Sequence, residues 1–407
     1  ILLKVQHDTD ATKAVTLNGT TGMSISNKST EKPVLFNARR YVGNDLARDI
    51  NGLGFKPDFV WFKERDASNF HQLFDSVRGG DKALYSNGNN QENDRSGNVN
   101  NGQITSFNSD GFSLSTDTQD NGVNQTGQPV IAWGWKAGGP IGSGSAPTNE
   151  GVYKLNGEST ERTATTYSVT GSGYAHGKSD GVAGTTYEAS YNVDSGFAII
   201  KTTSPGDGTT GNTFPTFIGT PDVIFAKQLD SANHWFVYHS SAGITSNHRN
   251  PLYLNLNERD DTSTTNAWGV ESTIGANSGK TWDLGSNNAT NNNGTNHRYV
   301  YYLWKAVSGV SVFGTYSGSS SGGTVTGLGF KPRLVIGKRI DSAANWYMFD
   351  RFRESGDALQ LLIESNNPDA EYTYSNLTLT VTNDGFTTGN YGTVGASGGT
   401  YIYMAFA

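Results

Sequence analysis

Gly54-Phe55-Lys56-Pro57-Asp58-Phe59-Val60-Trp61-Phe62-Lys63-Glu64-Arg65-Asp66 decides the fold, because the pattern occurs three times. The second copy is Gly219-Thr220-Pro221-Asp222-Val223-Ile224-Phe225-Ala226-Lys227-Gln228-Leu229-Asp230. The third is Gly329-Phe330-Lys331-Pro332-Arg333-Leu334-Val335-Ile336-Gly337-Lys338-Arg339-Ile340-Asp341. Each runs from Pro to Lys in six residues and on to Asp in three more: Pro57, Lys63, Asp66; Pro221, Lys227, Asp230; Pro332, Lys338, Asp341. Between Pro and Lys lies a short strand, and Pro at its entrance leaves the ladder intact. Self-similarity at fixed spacing means one folding unit used three times, which favours presentation or adhesion over catalysis.

The likeness extends beyond these anchors. Copies 1 and 3 match without a gap from Tyr41/Tyr316, through Phe74-Asp75 and Phe349-Asp350, to Arg78 and Arg353. Copy 2 keeps the register with Trp235, Tyr238 and His239. Each copy closes on an aromatic strand: Ile131 to Ala137, Tyr301 to Ala306, and Tyr401 to Ala407. In copy 3 the alternation predicts strands over Val312–Tyr316, Arg333–Ile340, Asn345–Phe349, Ala358–Ile363, Leu377–Thr382 and Tyr401–Phe406. That density is the mark of an antiparallel sandwich. Ser109-Asp110-Gly111 and Asn383-Asp384-Gly385 supply Asp-Gly turns at matching places.

The fold class read from this is all-β: three homologous antiparallel β-sandwich modules, jelly-roll or lectin-like, in tandem. The Pro anchors stand 164 residues apart between copies 1 and 2 and 111 apart between copies 2 and 3. The difference marks an insertion at about 140–193, opening on Gly138-Gly139-Pro140-Ile141-Gly142-Ser143-Gly144-Ser145, a flexible-linker composition. The organisation is then 1–33, an N-terminal extension or docking segment; 34–139, module 1; 140–193, a Gly/Ser-rich linker with short strands; 194–307, module 2; 308–407, module 3. If repeats couple mainly to neighbours, removing 401–407 should unfold module 3 and spare module 1.

Composition agrees. Hydrophobic residues make up 34% and charged residues 16%, while 51 glycines and abundant Ser, Thr and Asn carry the polarity. With 19 Tyr, 19 Phe and 8 Trp, the chain is too aromatic for disorder and suits thin aromatic cores between turn-rich loops. It has no Cys, hence no disulfide, thiolate metal site or Cys nucleophile. A net charge of -7 without a long basic run argues against nucleic acid as partner, and no apolar run has membrane-spanning length. The sequence opens on Ile1, not Met, which fits a processed chain or a piece of a longer one.

Gly52-Leu53-Gly54-Phe55-Lys56-Pro57-Asp58-Phe59-Val60-Trp61, Leu73-Phe74-Asp75-Ser76-Val77-Arg78-Gly79, Trp235 to Gly243 and Tyr401 to Ala407 resemble repeat modules of tailed-phage virion proteins. The likeness is greatest to tail-fibre and surface-appendage proteins of marine phages, cyanophages included, and covers about 34–407. The resemblance implies a virion-surface, extracellular structural or host-recognition protein without defined catalytic residues or cofactor. Its implied partners are other virion proteins, a second and third copy of itself if it forms a fibre, and a host cell-surface glycan.

Weighed residue by residue, Lys63/Lys227/Lys338 with Asp66/Asp230/Asp341 read either as a repeated saccharide or salt-bridge site or as turn chemistry, and turn chemistry is favoured. Asp75/Arg78 and Asp350/Arg353 could clamp a ligand. Copy 2 has His239 and Ala242 there, which argues for structure. His234, His239 and His248 lack a metal-binding spacing, and the acidic loops around Asp117 and Glu258 read as solvated. Glu64, Asp66, Glu364 and Asp369 are available for glycosidase chemistry, but nothing in the sequence pairs them. Aromatics beside Asn-rich loops suit sugars better, so Trp268, Trp282, Asn291 and Asn292 are the candidate glycan contacts; no metal ligand and no catalytic residue is assigned.

Overall fold

A computed structural model of the chain describes residues 34–138 except 99 and 120, together with 153–154, 161–162, 165–168, 186–203, 213–215, 218–242, 251–259, 267–268, 281–283, 287, 290 and 297–407. Among the described residues every regular element is a β-strand, and every paired strand runs antiparallel. Residues 35–407 form one compact unit.

Each of the three copies builds the same four-strand centre. An anchor strand carries the repeated motif: Phe59–Glu64, Val223–Gln228 and Leu334–Arg339. On one side it pairs with a return strand, Gln72–Asp75, Phe236–His239 or Tyr347–Asp350. On the other it pairs with the aromatic closing strand, Pro129–Trp135, Arg298–Trp304 or Thr400–Phe406. An outer strand, Phe36–Val42, Phe197–Thr203 or Ser311–Ser317, pairs with the far edge of the closing strand. The register is the same throughout, since Phe59 faces Trp135, Val223 faces Trp304 and Leu334 faces Phe406.

A second sheet covers one face of the centre in modules 1 and 3. In module 1 it is Arg48–Asn51, Gly111–Leu114 and Ile104–Asn108; in module 3 it is Thr324–Thr326, Gly385–Thr388, Leu379–Thr382 and Ala358–Leu359. The enclosed core of module 1 sets Val60, Phe62, Phe74 and Val130 against Ile50, Phe112 and Leu114. The Asp-Gly turns lie in these second sheets, joining Asn108 to Gly111 and Thr382 to Gly385. Their carboxylates bind back to the anchor motif: Asp110 accepts from Gly52 N (3.0 Å) and Gly54 N (2.6 Å), and Asp384 from Gly327 N (3.0 Å) and Gly329 N (2.6 Å). All four glycines have positive φ, between 74° and 97°, so the Gly-Leu-Gly of the motif is the nest for that carboxylate.

The opposite face of each anchor and closing strand is also buried, which explains why they show no polar alternation. Phe59, Trp61, Ile131 and Trp135 of module 1 meet Phe225, Val300 and Trp304 of module 2 and Ile336, Ile402 and Phe406 of module 3 in one cluster. Trp135 lies 6.3 Å from Trp304 and 5.6 Å from Phe406, ring centre to ring centre. Phe36 of module 1 lies 5.9 Å from Phe352 and 5.3 Å from Phe406 of module 3. The modules are therefore tandem in sequence but cyclic in space: module 1 packs on module 3 as well as on module 2, so a structural basis exists for coupling beyond sequence neighbours.

One polar contact repeats at each seam. Eight residues after the motif Lys stand His71, Trp235 and Trp346. Trp235 Nε1 donates to the Tyr85 carbonyl (2.7 Å) and Trp346 Nε1 to the Tyr253 carbonyl (2.8 Å). His71 Nε2 reaches the Glu364 carbonyl at 3.1 Å. Trp61 Nε1 donates to His71 Nδ1 (2.8 Å), which fixes the tautomer and leaves Nε2–H as the donor. Modules 2 and 3 each hand one ring N–H to the module before, module 1 hands one to module 3, and the ring closes.

The stretch 140–193 supplies more than a tether. Thr186–Asn192 pairs with the outer strand of module 2, and Thr165–Ser168 pairs with Thr186–Asn192 in turn. Among the described residues the outer strands of modules 1 and 3 have no such cover and end their sheets.

Candidate functional site

The repeated polar residues sit in the scaffold. Pro57, Pro221 and Pro332 are buried two residues before their anchor strands. Lys63, Lys227 and Lys338 are wholly buried, each giving its Nζ–H groups to backbone carbonyls. Lys63 Nζ reaches Glu64 O (2.6 Å) and Ala67 O (3.0 Å), Lys227 Nζ reaches Gln228 O (2.7 Å), and Lys338 Nζ reaches Ala344 O (2.6 Å) and Asn257 O of module 2 (3.2 Å). Burial lowers their pKa to about 8, 7 and 7. Asp230 accepts from Arg298 N (2.6 Å) and Asp341 from Thr400 N (2.9 Å), tying the turn after the anchor strand to the start of the closing strand. The equivalent residue in module 1 is Pro129, which has no N–H to give; the exposed Asp66 carboxylate instead faces the Gln128 amide.

The other candidates are spent in the same way. Asp75 and Arg78 form a buried pair (2.5 Å) whose Arg also reaches Glu92, while Tyr302 of module 2 donates to Asp75 (2.6 Å). Asp350 and Arg353 repeat the pair at 2.6 Å. His239, the substitute in module 2, reaches the Tyr403 carbonyl of module 3 at 3.1 Å. His234 bonds Asn255, and His248 lies outside the described residues. Asp117 accepts from Asn121, Val123 and Asn124 N–H groups and so shapes its loop. Among the described residues no group of His, Asp and Glu could hold a metal. Glu64 is buried against Asn69 (2.6 Å), and Glu364 accepts from Asn345 and Tyr372 (both 2.7 Å).

Of the aromatic candidates, Trp268 corrects the expectation of a surface sugar contact. It is 1% exposed in the core of module 2, where its ring packs on Tyr238 at 6.0 Å, so neither indole face is free for stacking. Trp282 pairs through its backbone with Phe214. Asn291 and Asn292 lie outside the described residues.

The structure points elsewhere, to the seam of modules 1 and 3. Tyr374 is 56% exposed and leans on Tyr391 at 5.1 Å, and Tyr372, on the same loop, is 36% exposed. Between the two comes Thr373, and just before them Glu371, whose carboxylate takes a bidentate fork from Arg65 (3.0 and 2.6 Å). Arg65 in turn lines an open groove of about 620 Å³, with Arg39, Arg40 and Arg351 as further charged walls and Tyr41 and Phe352 as aromatic ones. Sequence reasoning missed this groove because its arginines come from three separate stretches of two modules; the Arg39-Arg40 doublet on an outer strand was the one local signal.

Fold and site together define an all-β body of three fused sandwich modules with a basic groove and exposed tyrosines at one seam. The chain belongs to the family described as Domain of unknown function (DUF7483), whose pattern matches residues 32–186 and again 149–407. No curated protein and no solved structure matches it.

Proposed function

We propose that the chain is a non-catalytic structural protein of a tailed-phage virion surface, a tail-fibre, spike or appendage component that recognises host-surface glycan. The observation that carries the glycan part is the exposed Tyr372 and Tyr374 loop beside the open groove. Tyrosine offers an apolar face and a hydroxyl at small entropic cost, as sugar binding requires. The virion part rests on the motif strings quoted above, and other virion proteins, with further copies of the chain in a trimeric fibre, are the proposed partners. The non-catalytic reading is supported by the repeated Lys, Asp and Arg groups, which are committed to backbone and seam contacts.

Labelling intact particles with an antibody to the chain, together with adsorption assays in which the purified chain competes for host cells, tests the proposal. Surface labelling with competition is the expected result. Labelling without competition would indicate a decoration protein, and release of reducing sugar from host glycan would indicate a depolymerase. Particles that carry no label would sink the proposal.

A further inference from the structure

We infer that the groove at the seam of modules 1 and 3 binds the acidic groups of a polysaccharide, carboxylate- or sulfate-bearing sugar units, through Arg40 and Arg351, with Arg39 on its rim. This rests on the glycan reading above and names the class of glycan. The groove has four arginines and no carboxylate in its walls, on a chain whose net charge is -7, so the local charge runs against the background. Cationic clefts with apolar walls focus potential and collect anions.

The arginines are not equally free. Arg65 is held by Glu371, so its role is to shape the wall. Arg39 and Arg40 are exposed on opposite faces of the outer strand, and no ion pair among the described residues involves either; the Arg39 guanidinium lies over Gly52, and Arg40 has a 3.2 Å contact from its guanidinium to the Arg353 carbonyl at the seam. Arg351 approaches Asp357 at 3.5 Å, and that carboxylate is engaged by Lys331 at 2.6 Å. The Arg351 Nε is buried and has no hydrogen-bond partner. An unpaired buried donor is destabilising, a cost that a bound oxyanion would relieve. Arg333 stands next to Arg351 with its guanidinium 4.3 Å from the Phe352 ring, and the like charge of Arg351 adds to burial in lowering its pKa. Positive charge is thus crowded at this seam, and among the described residues Arg39, Arg40 and Arg333 have no ion-pair partner. Planar guanidinium forks match carboxylate and sulfate oxygens pairwise, and the groove volume lies in the range of small-ligand sites.

The full chain is titrated with dextran sulfate, with neutral dextran of equal length, and with a DNA duplex, by calorimetry at two salt concentrations. The expected result is saturable binding of dextran sulfate that weakens with salt, and none of neutral dextran. Arg39→Ala combined with Arg40→Ala should weaken it by about tenfold or more, as expected for loss of charge-assisted bonds. Arg351→Gln should weaken it with Arg39 and Arg40 intact, while Lys201→Ala on module 2 should leave it unchanged. Because Arg39 and Arg40 are exposed, the double variant keeps the core, which an unchanged melting temperature verifies. Equal affinity of double variant and parent, or equal affinity for the DNA duplex, would overturn the inference. Binding of neutral host glycan lost on Tyr374→Ala, without any sulfate binding, would overturn it and leave the glycan reading standing.

Discussion

At the residue scale the scaffold holds ionisable groups in their neutral forms, and this makes its stability depend on pH. His239 is wholly buried, and burial pushes its pKa down to about 4, opposed by its bond to the Tyr403 carbonyl. The unfolded chain takes up a proton at about 6.5. The folded state therefore has its full advantage above pH 6.5 and loses it as pH falls towards 4, by about 3 kcal/mol in all. His71, lowered in the same direction, adds to this loss. Asp58, raised by burial to about 6, works the other way: the folded state holds the extra proton between about 4 and 6, so it gains as pH falls there. A comparison of variants isolates His239. Denaturant unfolding at pH 7 and pH 5 should show the parent losing about 2 kcal/mol more than His239→Asn. Equal losses would mean that the imidazole is charged in the folded protein. Lys227 gives the alkaline counterpart. Held at about 7 by burial, it makes the parent gain stability from pH 7 to pH 9, because only the unfolded chain keeps the proton there. Lys227→Met should gain less over the same interval in thermal unfolding, and an unchanged gain would refute the neutral lysine. These residues also mark the limit of what could be read from sequence. The position of Lys63, Lys227 and Lys338 at the end of a strand was legible from spacing, but a lysine normally points to solvent, and only the turn carbonyls that each one reaches, with Asn257 O of module 2 added for Lys338, show why these do not. Trp268 misled for the opposite reason: a Trp near an Asn-rich loop looks the same in sequence whether its ring faces outwards or into the core.

Elements were legible where turn chemistry and apolar runs coincide. The strands expected over Val312–Tyr316, Arg333–Ile340 and Tyr401–Phe406 are found at Ser311–Ser317, Leu334–Arg339 and Thr400–Phe406. The stretch expected as one strand over Ala358–Ile363 is instead two, Ala358–Leu359 in the second sheet and Ile363–Glu364 in the main one, because the chain changes sheet between them. The composition of 140–193 announced a linker with short strands but not their partner. Thr186–Asn192 lies on the outer strand of module 2 with seven paired residues, and Ala189 and Tyr191 join that module's core. Removing it would leave Phe197–Thr203 as a bare edge with unpaired N–H and C=O groups, the kind of edge through which chains associate. Deletion of 153–192 should therefore convert a well-behaved species into a concentration-dependent oligomer by sedimentation. A deletion variant with the parent's sedimentation at all concentrations would show that the strand is dispensable cover.

For the whole molecule, the decisive fact is that every main sheet is buried on both faces. A module with two sheets could stand alone on its private core, but Trp135, Trp304 and Phe406 would then be exposed, as would Trp61, Trp133 and the rest of the shared cluster. Exposing so large an aromatic surface to water is strongly unfavourable, which makes the three modules one cooperative unit although their sequences read as beads. The seam bonds from His71, Trp235 and Trp346 work in the same sense, since breaking any seam strands a buried ring N–H or carbonyl. Two measurements follow. Trp304→Ala should cost about 3–5 kcal/mol, and the loss should appear equally in all three modules. Removal of 400–407 takes Ile402, Met404 and Phe406 out of the shared core and uncovers Phe36 and Trp135 of module 1. Hydrogen exchange in the truncated chain should then show protection lost in Phe59–Glu64 and Val223–Gln228 together with Leu334–Arg339. If the first two anchor strands kept the parent's protection, the shared core would contribute packing without cooperativity, and the beads reading would be right after all.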